Sequence, residues 1–452
     1  MIAYHVLRGF GRLALRWFYR DVEVVGIERL PATGPVLLAS NHPNALVDAL
    51  VIGCTLRRPV TLTAKATLLD NPITRRLLRA AGVVPLRRAS DARNGGSGTL
   101  DPSRNANAFS AVLDVLEQGG IVLVFPEGKS HSDPELAPLK TGLARMALMA
   151  RDERRLTVPI LPVGLTFERK WEPRSRVLMY VGRPVSADAA APNADAVTGL
   201  TDRVNAGLRE VTLNFPTPDD ARRVLAVSTT LTGVLDVFRP LGAPDPPLAE
   251  SVRVAQRIKA IAPRLPELEP TVAARVQRFL QRFAEFEQMI QHNAIAASDV
   301  QMDTGVGAGA WFVIRELLIG ALAGPLALWG RANHWLPVRI ARWLALRRSR
   351  TPDEPAMITI VAGLVLVLTF YSAQTIFVGW MFGWIVALAY AISLPISATW
   401  DFRYADRLRR AVARVRTYVR FRHDRRLHDH LLSELAWLRA DAIELDALLG
   451  IS

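Results

Sequence analysis

From Pro355 to Trp400 the chain carries no charged residue over 46 positions. As helix, at about 1.5 Å per residue, that run extends roughly 69 Å, about twice a hydrocarbon core of about 30 Å. In lipid every backbone polar group needs an internal partner, so a run of this kind crosses as helices. The reading that fits is a transmembrane hairpin, domain 351–401. Its helices are expected at about 356–374 and 377–398, with a tight turn near Tyr371–Thr375. Glu354 and Asp401 bracket it.

Arginine placement orients the hairpin. Six arginines lie between Arg331 and Arg350, and ten between Arg403 and Arg426. Positive charge stays on the cytoplasmic side, so both flanks are expected there. That implies an integral protein of an inner (cytoplasmic) membrane, with its N-terminal portion inside. Leu317–Gly330 is uncharged but only 14 residues long and is expected to be broken by Gly324-Pro325. That length suits a re-entrant or interfacial segment, domain 306–350, better than a full span. The arginine-rich 402–452 reads as basic amphipathic helices on an anionic leaflet.

The net charge of +14 fits anionic lipid headgroups or a phosphorylated substrate. It also fits nucleic acid, but a hairpin of this kind argues against that partner. The only cysteine, Cys54, excludes an internal disulfide framework and a cysteine-based zinc site. The first twenty residues place Arg8, Arg12, Arg16 and Arg20 four apart, with Val6 before them and Phe10, Leu13 and Trp17 between them. Domain 1–20 therefore reads as a basic amphipathic helix lying on headgroups, not as a cleavable signal peptide.

From Asp21 to about Arg183, apolar runs alternate with helical stretches. Val36–Ala39, Val60–Thr63, Ile121–Phe125, Val158–Gly164 and Val177–Val181 read as buried strands. Strands alternating with helices imply an α/β layer fold, domain 21–215. Ser90–Arg104 is rich in Gly, Ser, Asn and Asp and reads as a surface loop. Domain 216–305 reads as a helical connector.

The strand at Val36 runs into "SNHPNALVDAL", which delivers His42 and Asp48. A hydroxyl is a poor nucleophile at neutral pH, and imidazole is the side chain suited to taking its proton. A carboxylate on the other ring nitrogen fixes the tautomer and stabilises the imidazolium. Further along come "GVVPLRR" at Gly82–Arg88, "VFPEGKSH" at Val124–His131, "APLKTG" at Ala137–Gly142 and "VPILPVGL" at Val158–Leu165. A histidine base, cations for a phosphate and a glycine turn together suggest an acceptor site.

These segments resemble the four ordered boxes of the glycerolipid acyltransferase superfamily, which esterifies glycerol-3-phosphate or lysophosphatidate. Asn41, His42 and Asp48 match the first box, and Gly82, Pro85 and Arg88 the second, with Leu86 replacing its Ile/Val. Phe125, Pro126, Glu127 and Gly128 match the third, and Val158, Pro159, Pro162 and Val163 the fourth. The spacing from His42 to Asp48 is one residue longer than the common form. Lys129-Ser130-His131 replaces Thr-Arg-Ser. Both departures, with Pro138, Leu139, Lys140 and Gly142, resemble the fungal-type glycerol-3-phosphate acyltransferase branch.

The resemblance implies a mixed sheet flanked by helices. It makes His42 the general base and Asp48 its orienting partner. Arg88 is expected to hold the acceptor phosphate, and Glu127 and Gly128 to position the glycerol backbone. Pro159 and Pro162 are expected to shape the acyl pocket. Lys129, His131 and Lys140 are further acceptor-site candidates, from charge and position. The donor is acyl-CoA or acyl carrier protein, and neither a metal nor a bound cofactor is expected. Lysophosphatidate or another lysophospholipid remains the alternative acceptor, and a lipid-binding scaffold the non-enzymatic one. Loss of a guanidinium–phosphate contact costs a few kcal/mol, so Arg88→Ala is expected to raise the acceptor's KM by at least tenfold. A raised donor KM with the acceptor's unchanged would move Arg88 to the donor side.

Overall fold

In a computed structural model the described residues are 2–66, 70, 72–86, 102–188, 195–235, 246–349 and 354–449. They form two compact units. The first takes the chain to Ala221 and adds Arg339–Leu366; the second comprises Arg222–Val338 and Val367–Ser452.

The first unit is built on seven described strands: β1 (Asp21–Val25), β2 (Val36–Ser40), β3 (Val60–Lys65), β4 (Val84–Leu86), β5 (Ile121–Val124), β6 (Ile160–Phe167) and β7 (Arg176–Val181). Their order is β1-β7-β6-β2-β5-β3-β4. All neighbours run parallel except β6 and β7, so the sheet is mixed. β2 is central and wholly buried, pairing with β5 through Val36–Ile121 and with β6 through Ser40–Val163. A strand covered on both faces carries a continuous apolar run, as "VLLA" does.

Side chains alternate between the two faces. Val36, Leu38, Ile121, Leu123, Leu161 and Val163 join one core with α1 (Ile2–Phe18) and α2 (Leu46–Thr55). Leu37, Ala39, Val122, Val124 and Ile160 join the other, with α4 (Pro102–Glu117), α5 (Gly142–Arg154) and α6 (Asp195–Val211). A further helix, α3 (Pro72–Ala80), precedes β4.

Helix α1 differs from a surface helix with a free arginine stripe. Arg8 is buried and donates to Arg57 O, and Arg12 Nε donates to Cys54 O at 2.8 Å. Both cap the C-terminal end of α2, where carbonyls lack helical partners and positive charge is favoured. Gly11 permits this approach, since a Cβ there would sit 2.7 Å from Cys54 Sγ.

The second unit holds α8 (Leu248–Ile261), α9 (Pro270–His292), α12 (Trp384–His423), α13 (Arg425–Leu449), and parts of α7 (Pro218–Leu235), α10 (Val306–Arg348) and α11 (Glu354–Phe382). Val276, Phe279, Phe283, Phe286 and Ile290 form a stripe on α9 that packs with Leu431, Leu435 and Leu438 of α13. Arg282 Nε donates to Glu434 at 2.9 Å and stacks 4.0 Å over Trp437, and Arg275 pairs with Asp441. The C-terminal helices expected to lie on a leaflet thus spend α13 on a protein partner.

Among the described residues, three helices, α10, α11 and α12, are long and apolar enough to cross a membrane. Two expectations need correction here. The hairpin turn is at Gly383, not Tyr371–Thr375. Gly383 has φ +84°, a left-handed conformation that suits glycine, and it alone separates α11 from α12. The polar residues that suggested an earlier turn are used between helices: Gln374 donates to Asn333 O and Tyr371 to Leu394 O. Nor is α10 interrupted at Gly324-Pro325, since it runs as one helix with Pro325 and Pro337 inside it. In addition, the first turns of α11 are not free to enter lipid. Ala356 and Ile360 are buried in the sheet's core beside α1 and α2.

A methyl group at Gly164 of β6 would sit 1.9 Å from Val211 O of α6. Backbone cannot yield as a flexible side chain does, so Gly164→Ala is expected to cost about 2–3 kcal/mol, the upper range for overpacking. Thermal or chemical unfolding checks this, and an unchanged midpoint would contradict the β6–α6 packing.

Candidate active site

β2, β5, β3 and β4 are mutually parallel, so their carboxyl ends share one edge of the sheet, where sites in α/β folds are built. Two residues past β2 stands His42. Its Nδ1 lies 2.9 Å from Oδ2 of Asp48, in the first turn of α2. The same oxygen accepts the Asn44 N–H at 2.7 Å. The five-residue gap between His42 and Asp48 is therefore a tight loop closed on the carboxylate.

Closing it requires an unusual backbone. Ala45, which precedes α2, has φ 48° and ψ −130°, a region that costs a non-glycine residue about 1–3 kcal/mol. Ser130 holds it by accepting the Ala45 N–H on Oγ at 3.0 Å. Asn44, fully buried, donates to Tyr19 Oη and Lys170 O, both at 3.3 Å. Asn41 completes the frame. Its side-chain amide donates to Leu165 O at 3.0 Å and accepts Leu165 N–H at 2.8 Å, as a further residue of β2 would. The His42 ring stacks on Phe125, with centroids 3.9 Å apart.

The segment after β5 supplies the other wall. Glu127 is buried, and both its oxygens are engaged within the protein. Oε1 accepts the His42 N–H at 2.9 Å, while Oε2 accepts the Ala137 N–H at 2.8 Å and meets His131 Nε2. The His131 N–H in turn donates to His42 O. Glu127, expected to touch the glycerol backbone, instead ties three loop positions together. Gly128 has φ +77° and lies against Lys140, whose N–H donates to Pro126 O at 2.7 Å. The side chains of Lys129 and Lys140 are exposed. Arg88 lies outside the described residues.

Pro159 and Pro162 do not join this group. Pro162 is buried with Ile160 on the face covered by α6, where a Cβ on Gly207 would sit 2.8 Å from its ring, and α2 lies on the opposite face. Pro159 immediately precedes β6, and its carbonyl accepts the Leu37 N–H at 3.1 Å. The expected acyl-pocket role gives way to packing of α6 on the sheet. Among the described residues, no cluster of three His, Cys, Asp or Glu is placed to hold a metal ion.

Burial raises the carboxyl pKa of Asp48, against the opposing pull of the His42 hydrogen bond and charge. Burial and the negative charge of Asp48 push the Tyr19 phenol well above its ordinary value. Burial also raises the thiol of Cys54, which removes it as a nucleophile.

Residues 21–166 match the family described as Acyltransferase. This stretch is thus similar to an acyltransferase domain, and it is called that below. This domain contains the four motif segments, from Asn41 to Val163. Over 123 residues the chain is 34% identical to glycerol-3-phosphate O-acyltransferase 2 of Saccharomyces cerevisiae, covering 25% of this chain and 16% of that protein. Over 195 residues it is 28% identical to the 1-acyl-sn-glycerol-3-phosphate acyltransferase alpha of Mus musculus, covering 40% and 60%. The chain thus spans less than two thirds of the length of these curated relatives. The crystal structure of the 1-acyl-sn-glycerophosphate acyltransferase of Thermotoga maritima aligns with TM-score 0.35 and 21% identity, over 46% of this chain and 79% of that one.

The residues of this site to which the motif match assigned no role are Asn44, Ser130 and Phe125. None is marked by charge, and each acts through a partner distant in sequence, apart from the local Asn44–Asp48 bond. A carboxyl with its pKa raised by folding binds a proton more readily in the folded state. Its burial therefore costs stability, in full once pH exceeds that folded value, and the cost fades as pH falls through it towards the lower unfolded value. Asp48→Asn is expected to melt at or a few degrees above the unsubstituted protein at pH 7, the difference shrinking on acidification. A large drop in melting temperature, greatest at neutral pH, would contradict a carboxylate buried at a stability cost.

Proposed function

We propose that this chain is a membrane-bound O-acyltransferase that esterifies glycerol-3-phosphate with a fatty acyl group from acyl-CoA or acyl carrier protein, a step towards phosphatidic acid. The observation that carries this reading is the His42 Nδ1–Asp48 contact, which leaves Nε2 as the nitrogen for an acceptor hydroxyl. In the proposed reaction Nε2 takes the hydroxyl proton as oxygen attacks the thioester carbonyl. The tetrahedral intermediate collapses, the C–S bond breaks, and the imidazolium returns the proton to the departing thiol. Asp48 stabilises the imidazolium in between. A thioester is already activated, so this route uses no metal, no bound cofactor and no acyl-enzyme.

Glycerol-3-phosphate is the first choice because Lys129, Ser130, His131 and Lys140 follow the pattern of the yeast branch, whose member here bears that acceptor in its name. Arg88, Lys129 and Lys140 are the proposed phosphate ligands. Glu127 and His131 hold the loop that carries the two lysines. Lysophosphatidate is the second choice, supported by the longer alignment with the mouse protein. The arginine flanks support a cytoplasmic face of the inner membrane for the acyltransferase domain.

Purified full-length protein given acyl-CoA and either acceptor tests the assignment. Acylation of glycerol-3-phosphate is expected at a higher kcat/KM than of 1-acylglycerol-3-phosphate. His42→Ala is expected to lower either activity about a hundredfold to ten-thousandfold, the usual range for a general base. Near-normal turnover in folded His42→Ala protein would sink the mechanism; preference for the lysolipid would reverse the choice of acceptor.

A further inference from the structure

α10, α11 and α12 are each long and apolar enough to cross a membrane. If all three crossed, α9 before them and α13 after them would end on opposite sides. The second unit rules that out. α9 and α13 share one apolar core, through Phe279, Phe283 and Phe286 with Leu431 and Leu435, and Arg282 and Glu434 pair across it. Two helices in one core lie on one side of a bilayer, so the crossings between them are even in number.

α11 and α12 cross as a pair. Only Gly383 separates them, Tyr371 reaches Leu394 O, and a Cβ on Gly379 would sit 3.3 Å from Ala387 Cβ. One helix therefore returns where the other arrives. Beyond the buried Ile360, α11 has 22 residues left, roughly 33 Å, which matches a hydrocarbon core of about 30 Å. Trp380 and Trp384 are exposed beside the turn, where aromatic side chains suit the far interface.

An even total and an even hairpin leave no crossing for α10. Its register agrees. It runs antiparallel to α12, with Gly309 against Tyr418, Glu316 paired with Arg407 and Arg331 with Asp401. Most of this stretch lies beside the charged part of α12, and only the segment near Trp329 and Asn333 reaches the charge-free part, at Ser393 and Tyr390. Yet Leu317, Leu322 and Leu328 are 67–83% exposed.

We infer that α10 does not cross, and that its exposed apolar side chains are covered by acyl chains of the leaflet on whose side α9 and α13 lie. The ion pairs of Glu316 and Asp401 with arginines on the neighbouring helix then sit near the interface, where charge is far cheaper than at the bilayer centre.

Single cysteines at the exposed positions Gln301, Arg348 and Asp429, in a Cys54→Ala background, test this in sealed vesicles with a membrane-impermeant maleimide. All three are expected to label from the same face. Labelling of Arg348→Cys from the face opposite Gln301→Cys would make α10 a true span and overturn the inference. Asp429→Cys opposite Gln301→Cys would overturn the even count beneath it. If a substitution blocks insertion, protease-cleavage sequences at the same positions give the same readout. A spin label at Leu322→Cys is expected to collide more with dissolved oxygen than with a water-soluble nickel chelate; the reverse would overturn lipid coverage.

Discussion

The buried contact between His42 and Asp48 organises the structure around it. An ionised carboxylate without solvent is expensive unless its oxygens are bonded, and Oδ2 takes both the His42 ring and the Asn44 N–H. To bring those donors to one oxygen, the chain turns through Ala45 in a sparsely populated conformation, which Ser130 restrains from 85 residues away. Glu127 anchors the other side by accepting the His42 N–H. Two buried carboxylates thus fix one histidine, one at its ring and one at its backbone.

The sheet makes this arrangement possible. β2 is central, so the loop leaving it meets the loop leaving β5 on one side and β6 on the other. Asn41 uses that second neighbour, bonding Leu165 by its amide in place of a backbone that has already left the sheet. α2 then carries Asp48 back over a face already sealed by α1, with Arg12 on the terminal carbonyl of Cys54. Preorganisation of this kind lets an imidazole receive a proton without moving.

The α/β layering and the His42–Asp48 pairing were legible in the sequence, because apolar runs and motif spacing are local signals, whereas the mixed sheet was implied only by the resemblance. Pairings distant in sequence were not. Glu127 reads as a ligand-binding acid, and only folding shows its oxygens taken by His42, His131 and Ala137. Pro162 was open to a better reading, since it alternates with Leu161 and Val163 and so must face away from α2. The hairpin turn was misplaced because Ser372, Gln374 and Thr375 look like a turn; Gln374 is polar because Asn333 of another helix is beside it. Gly383, flanked by Phe382 and Trp384, carries no polar neighbour to announce it.

The central claim is that an ionised Asp48 keeps the proton on His42 Nδ1 and leaves Nε2 bare for the acceptor hydroxyl. Burial raises the Asp48 pKa, so a protonated carboxyl donating to Nδ1 is the physical alternative. Nitrogen NMR of the 15N-histidine-labelled protein separates the two, with His42 assigned by its loss in His42→Gln. At neutral pH the account expects a protonated Nδ1 and an unprotonated Nε2, a preference lost in Asp48→Asn. A His42 ring protonated at Nε2 and bare at Nδ1 would contradict it.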